Sequence, residues 1–274
     1  MRKITVLTAG VILAFAVALS GCDAGREGES EPPADKQVNE EPEPKEEAQS
    51  GGDAQTEKES SQQETDDKAG EKGAAEKKVE LDPDLPEPMF VGTPTNFESD
   101  NLDPTTGEPR GEFMVPEGTK LVSVGKPVTS SDPDPVVGEI EQVTDGTKTG
   151  YEGDYIALDP GVQWVQLDLE KSHRIYAILL WHYHSQARVY HDVIVQVSND
   201  PDFEKGVETI YNSDHDNSAG FGVGDDYEYV ETYEGRLIDG KGVAGRYVRV
   251  YSNGNTANEM NHYTEVEVYG KPAE

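Results

Sequence analysis

The C-terminal half of this chain carries short runs in which apolar residues recur at every second position, a period that suits strands and not helices. In Trp164-Val-Gln-Leu-Asp-Leu169 the aliphatic residues are Val165, Leu167 and Leu169. The same spacing marks Val193, Val195 and Val197, then Val248 and Val250, then Val266 and Val268. Side chains two apart on a strand share a face, so each run offers one face to a core and one to water. Arg174-Ile-Tyr-Ala-Ile-Leu-Leu-Trp181 is apolar on both parities, which predicts a central strand covered on both sides. Turn signals separate the runs at Asp145-Gly146, Asp159-Pro160-Gly161, Asn199-Asp200-Pro201, Asp239-Gly240 and Ser252-Asn253-Gly254. There is neither a long run at helical spacing nor a βαβ rhythm. The expectation is all-β: an antiparallel, jelly-roll-like sandwich of about eight strands over residues 119–274.

The preceding residues divide into three segments. Arg2 and Lys3 precede an apolar run at 4–18, too short for a comfortable membrane span. The run closes on Leu19-Ser20-Gly21-Cys22, which resembles a bacterial lipobox. That resemblance implies a signal peptide over 1–21 and lipidation of Cys22. Acyl chains would then hold the protein on a membrane of the bacterial cell envelope, facing outside the cytoplasm. An ordinary secretory signal with an incidental cysteine is the alternative. Cys22 is the only cysteine, so no disulfide can form within the chain.

Residues 22–80 read as a disordered acidic tether. From position 23 they hold nineteen Asp and Glu against eight Lys and Arg, with no aromatic residue and no Ile, Leu or Met. Such a segment buries too little apolar surface to offset the entropy of ordering it. As a flexible coil it would span about 40–46 Å. An acidic tail that binds metal or protein is the alternative. Residues 81–118 contain seven prolines, yet also the triplets Met89-Phe90-Val91 and Phe113-Met114-Val115. They read as an extended strap docked on the domain.

From Leu81 onward there are 36 acidic and 13 basic residues. A field of that sign repels nucleic-acid backbones and anionic headgroups, leaving neutral sugars, cations or basic partners.

In order and spacing, the strand runs resemble the discoidin (coagulation-factor C-type) family of galactose-binding-like sandwiches, over roughly residues 119 to 270. Such domains usually bind sugars or surfaces rather than catalyse. The resemblance implies a monomeric, non-catalytic, surface-tethered carbohydrate-binding module. A protein-interaction or envelope-assembly domain meeting a basic partner is the second reading. The Asp-Gly turn of the family, which commonly holds structural Ca²⁺ with a glutamate of the last strand, matches Asp145-Gly146-Thr147 and Glu265. Carboxylates and carbonyls are what such a cation requires. The family usually has Thr five residues past the Asp; here Gly150 stands there, with Thr149 one short.

Sugar modules of this type commonly use a His, an Arg and an Asn beside a stacking aromatic, and His184, Arg188 and Tyr190 supply the His, the Arg and the aromatic after the central strand. Alternatively, His182 and His184 share a face and form half of a zinc site, with His191, His215 or His262 as third ligand. In the plainest reading Trp181 and Tyr190 are core packing and His182 is a satisfied buried imidazole. The glycine-rich loop from Asp214 offers Asp214, His215, Asp216 and Asn217, either to a cation or glycan or to its own backbone. Asn261 and His262 are candidates in the polar loop before the last strand. Some of the loops at 183–191, 213–226 and 252–263 should gather at one end of the sandwich. No framed nucleophile, phosphate loop or metalloprotease signature supports an enzyme. A metal-dependent enzyme built on His182 and His184 is the distant third reading.

Overall fold

The computed structural model describes residues 76–89 and 91–273. The signal peptide, Cys22 and the tether up to residue 75 lie outside the described residues, as does Phe90. Ten strands occur: β1 Lys78–Glu80, β2 Met114–Pro116, β3 Lys120–Leu121, β4 Val128–Ser130, β5 Ile156–Leu158, β6 Gln163–His182, β7 Ile194–Ser198, β8 Glu208–Asn212, β9 Arg236–Ser252 and β10 Asn261–Pro272. The one helical element among the described residues is a 3-10 turn, Ile140–Thr144.

The sandwich is built on β6 and β9, which pair antiparallel along most of their length. Their register slips between Asp168 and His173 and again between Ile175 and Ala177. Such irregularities bend a strand, and here they let each long strand serve two layers. The first half of β6 pairs with β4 and with the second half of β9, which continues to β7 and β8. The second half of β6 pairs with the first half of β9 and with β10, which in turn holds β3 and β5. Val165, Leu167, Leu169, Val195, Val197, Val248 and Val250 from one layer meet Ile175, Ile178, Leu180, Ile238, Val266 and Val268 from the other in a single core. The expected antiparallel sandwich is therefore what the chain forms, with β3 to β10 supplying eight strands.

Residues 174–181 form the expected central strand, covered on both faces. Ala177, Leu179 and Trp181 on their outer face, with Tyr269 of the paired β10, pack against Leu81, Leu85 and Phe113 of the strap. Val115 is buried as well. The strap is anchored by leucines rather than by the first apolar triplet, of which Met89 and Val91 are half-buried. β1 pairs with β2 and lies inside the segment read as tether. Main-chain pairing orders it, and composition does not report main-chain pairing. Farther along, Asp103 pairs with Arg236 at 2.6 Å and its N–H donates to the Glu228 carbonyl, which carries the strap to the loop end.

Candidate functional site: the loop end

β6 ends, β7 begins, β8 ends and β10 begins at one pole of the sandwich, and all three expected loops gather there. The His191 N–H donates to the Gly254 carbonyl at 3.1 Å, and the Asn253 N–H donates back to His191 at 2.9 Å. Ser218 Oγ donates to Asp192 Oδ2 at 2.7 Å, and the Glu231 N–H donates to the Arg188 carbonyl at 2.9 Å. The 229–235 segment folds over Trp181, whose indole N–H donates to the Tyr233 carbonyl at 2.9 Å. Gly235 makes that approach possible: its φ is +67°, and a Cβ there would come within 2.6 Å of the indole.

At this pole the half-buried rings of Tyr155 and Tyr183 cluster with the buried Arg188 and His262. The Arg188 guanidinium lies 4.6 Å from the Tyr183 ring centre, and the Tyr155 and Tyr183 rings meet edge-on at 4.8 Å. His262 adjoins both tyrosines, at 5.5 and 6.1 Å. Its Nδ1 faces the Tyr190 hydroxyl at 2.9 Å and Arg188 Nη1 at 3.3 Å. Arginine has only donors, so Nδ1 is the acceptor and the ring proton sits on Nε2. Burial, then the charge of Arg188, holds the His262 pKa down at about 4. A histidine depressed in the fold gives its full stability above its ordinary value of 6.5 and loses it as pH falls toward about 4. Denaturant titrations should therefore show the wild type losing stability relative to His262→Gln as pH falls across that window, whatever the other groups, such as Glu265 with its raised pKa, add to both proteins. An identical pH profile for the variant would refute the linkage.

Tyr155 and Tyr183 escaped the sequence reading. Tyr155 precedes β5, whose pairing with β10 brings it beside His262. Nothing in the spacing of residues 155 and 262 announces that neighbourhood.

Other expected site residues serve the fold. Tyr190, expected as a stacking face, is 2% exposed. Its bridge to Asn255 turns the ring inward, where it stacks on His182 at 4.2 Å. The plainer reading of Tyr190, Trp181 and His182 as core is thus the observed one. His184 is also buried; its Nε2 donates to the Lys148 carbonyl at 3.0 Å, and burial lowers its pKa. The ring presses under Gly150, where a Cβ would come within 2.8 Å of Nε2 at a φ of +68°. A threonine does not fit there, which accounts for the glycine. Asn261 is fully buried and uses its whole amide: Oδ1 accepts from Ser252 Oγ and the Gly254 N–H, and Nδ2 donates to the Asp159 and Gly161 carbonyls. It has no capacity left for a ligand.

Asp214 is buried and accepts from the Ser218 and Ala219 N–H groups, both at 3.0 Å. Asn217 caps Gly222 at 2.7 Å. Both hold their own loop, the alternative left open by the sequence. His215 is half-buried and lines a polar recess with His191, Asp192, Asp216 and Asn253. The carboxyl oxygens of Asp192, Asp214 and Asp216 lie within 4.8 Å of one another, the one such group among the described residues. The His182/His184 pair gains no third ligand there: His182 Nδ1 is held by Glu231 Oε1 at 2.7 Å.

Glu265 is fully buried on the outer face of β10. Its Oε2 accepts from the Gly146 N–H at 3.0 Å, while Oε1 has no protein partner. Burial, with the charges of Glu267 and Asp145, pushes its pKa up to about 8. Neighbouring Glu267 is matched by Lys148 at 2.5 Å and by the Tyr269 hydroxyl at 2.7 Å. Asp145 is exposed on the adjoining turn, its Oδ1 accepting from the Thr147 N–H at 2.6 Å. An unpartnered buried carboxylate oxygen beside a second carboxylate is a donor set that fits a hard cation.

No family profile and no curated protein matches this chain. Solved structures do. The chain is similar to the CBM32 of AlyQ in complex with 4,5-unsaturated mannuronic acid, at 19% identity over 54% of this chain and 97% of that one, with a TM-score of 0.38. It is similar to chitosan-binding module 1 of a chitosanase/glucanase from Paenibacillus sp. IK-5, at 23% identity over 55% and 99%, with a TM-score of 0.38. A fucose-binding module of Streptococcus pneumoniae, SpX-3, matches at 18% identity over 55% and 97%, with a TM-score of 0.40.

Proposed function

We propose that this protein is a surface-tethered, non-catalytic module that binds carbohydrate through its loop end. The observation that supports it is the cluster of Tyr155, Tyr183, Arg188 and His262. Two half-buried rings offer apolar area to a sugar's C–H face, and Arg188 and His262 Nε2 offer donors to its oxygens. Asp214, His182, His184 and Glu231 at this pole are tied into loop capping and core packing, which supports a binding role over catalysis. A glycan array probed with and without calcium tests the reading. Binding lost in Tyr183→Ala at unchanged melting temperature supports it; an empty array refutes it. A second reading, a contact with a basic protein partner, is favoured by Phe221, Val223 and Tyr227, which are exposed beside Asp225 and Asp226 on the same pole. It predicts the empty array together with a salt-sensitive protein complex.

Calcium at Asp145 and Glu265 belongs to the same proposal, as a structural cation. A ligand of the folded state alone stabilises by mass action, so calcium should raise the melting temperature of metal-stripped protein and chelator should reverse the gain. Asp145→Ala should be indifferent to calcium. A wild-type melting curve that calcium does not move would count against the site. The tether is proposed to hang from a lipidated Cys22. Fatty-acid label should be incorporated by the wild type and lost in Cys22→Ser; label that persists in the mutant rules this out.

A further inference from the structure

Two lysine or arginine side chains of the described structure are more than nine-tenths buried, Lys148 and Arg188. Lys148 has its counter-charge in Glu267 at 2.5 Å. Arg188 has none: no described carboxylate forms an ion pair with it. Its partners are all neutral, namely Gln186 Oε1 at 3.0 Å, His262 Nδ1 at 3.3 Å and the face of Tyr183. Its Nε has no partner at all. A buried guanidinium without a carboxylate is unusual, because desolvated charges are ordinarily paired. In a chain with 55 acidic residues, acids for such a pairing are not scarce. His262 adds to the imbalance: with Nδ1 occupied twice, its free nitrogen is an N–H donor. Arg188 and His262 thus present donors and one positive charge with no ion-pair partner among the described residues, Glu152 and Glu231 being the nearby acids that act on Tyr155 and Tyr190.

We infer that this cluster takes the carboxylate of a uronic acid residue, with the sugar ring packed against Tyr155 and Tyr183. The inference rests on the carbohydrate reading above and narrows it to acidic saccharides. Gln186 is exposed, and its side-chain oxygen on Arg188 Nη2 stands where one carboxylate oxygen would sit. A surface glutamine swings aside at little cost, and a planar carboxylate meets a guanidinium edge with two parallel bonds. The acidic character of the whole domain does not forbid this. Exposed charges are screened over about 8 Å at physiological ionic strength, whereas a buried charge next to its ligand is screened much less. A single negative charge also meets less repulsion from those surroundings than the double charge of a phosphate.

The test is calorimetric titration of the full chain with glucuronate-, galacturonate- and mannuronate-containing oligosaccharides, each against its carboxyl-reduced, neutral counterpart. At least one acid form should bind about ten-fold or more tightly than its reduced partner. That preference should vanish in Arg188→Gln. Gln186→Glu changes an exposed side chain, so folding is not at stake, and it supplies Arg188 with an internal carboxylate. It should cut uronate affinity by a similar factor and leave neutral sugars unaffected. Equal binding of acid and reduced forms overturns the inference, as does unchanged uronate affinity in Gln186→Glu. Preference for a sulfated or phosphorylated sugar, or for a peptide carboxylate, also overturns it. Neutral sugars bound in a Tyr183-dependent way would sink the uronate assignment and leave the carbohydrate reading standing; no saccharide bound at all would sink that reading itself.

Discussion

A chain that begins at Thr119 is expected to melt far below one that begins at Ala69, or to fail to fold. The difference is the strap. Leu81, Leu85 and Phe113 cover Ala177, Leu179 and Trp181 on the outer face of the central strand, with Tyr269 of the neighbouring β10, and Val115 is 2% exposed. Burying a side chain of this kind fully is worth about 1.5–3 kcal/mol, and the half-buried ones contribute toward the lower end. The strap's own ordering entropy opposes the gain. Its removal also uncovers the sheet side of the contact, including an indole that is otherwise wholly buried. Arg236 would lose Asp103, and the Glu228 main chain would lose its bridge to Leu102. A net loss of roughly 5 kcal/mol corresponds to about 10–20 °C in melting temperature for a domain of this size. Thermal melts of the two chains decide it. Coincident curves would mean that residues 76–118 lie on the domain without stabilising it.

What the sequence reveals about this molecule follows what its signals measure. Alternation reports which face of a strand meets the core, and Val165, Leu167, Val195, Val248 and Val266 all lie where alternation puts them. The doubly apolar run at 174–181 announced a covered strand, and the strap supplies its second cover. Composition does not see main-chain pairing, so by composition β1 is indistinguishable from the tether before it. Polar residues in loops were harder still. Asn261 and Asp214 look like ligand-binding side chains, yet each is consumed by neighbouring backbone groups. A loop's need to satisfy its own N–H and C=O groups produces the same residue types as a binding site. Tyr190 failed for a related reason: an aromatic residue after a strand is read equally well as platform or core, and only its bridge to Asn255 decides. Arg188 and His262 were legible as residue types. Their juxtaposition, with Tyr155 and Tyr183 beside them, is a product of tertiary pairing.

The same limit applies to Glu231, where substitution is expected to cost the most of any single change at the loop end. Glu231 Oε1 lies 2.7 Å from His182 Nδ1, and both side chains are completely buried although 49 residues separate them in sequence. The pair braces the site from beneath. The Glu231 N–H holds the Arg188 carbonyl, and His182 stacks under Tyr190, whose hydroxyl donates to His262. Glu231→Ala removes one member, opens a cavity and leaves His182 Nδ1 only the long contact to the Tyr229 hydroxyl at 3.4 Å, which for a buried pair costs roughly 3–5 kcal/mol. Replacing both residues by leucine removes the stranded partner as well, so His182→Leu with Glu231→Leu should recover much of that loss. Urea denaturation of the single and double variants measures both terms. A Glu231→Ala loss within about 1 kcal/mol of zero would show that the buried pair contributes little beyond its own desolvation. Recovery in the double variant without recovery of ligand affinity would separate the two roles of the pair. Stability requires only that the space be filled without an orphaned polar group, whereas the positions of Arg188 and His262 require the imidazole and the carboxylate themselves.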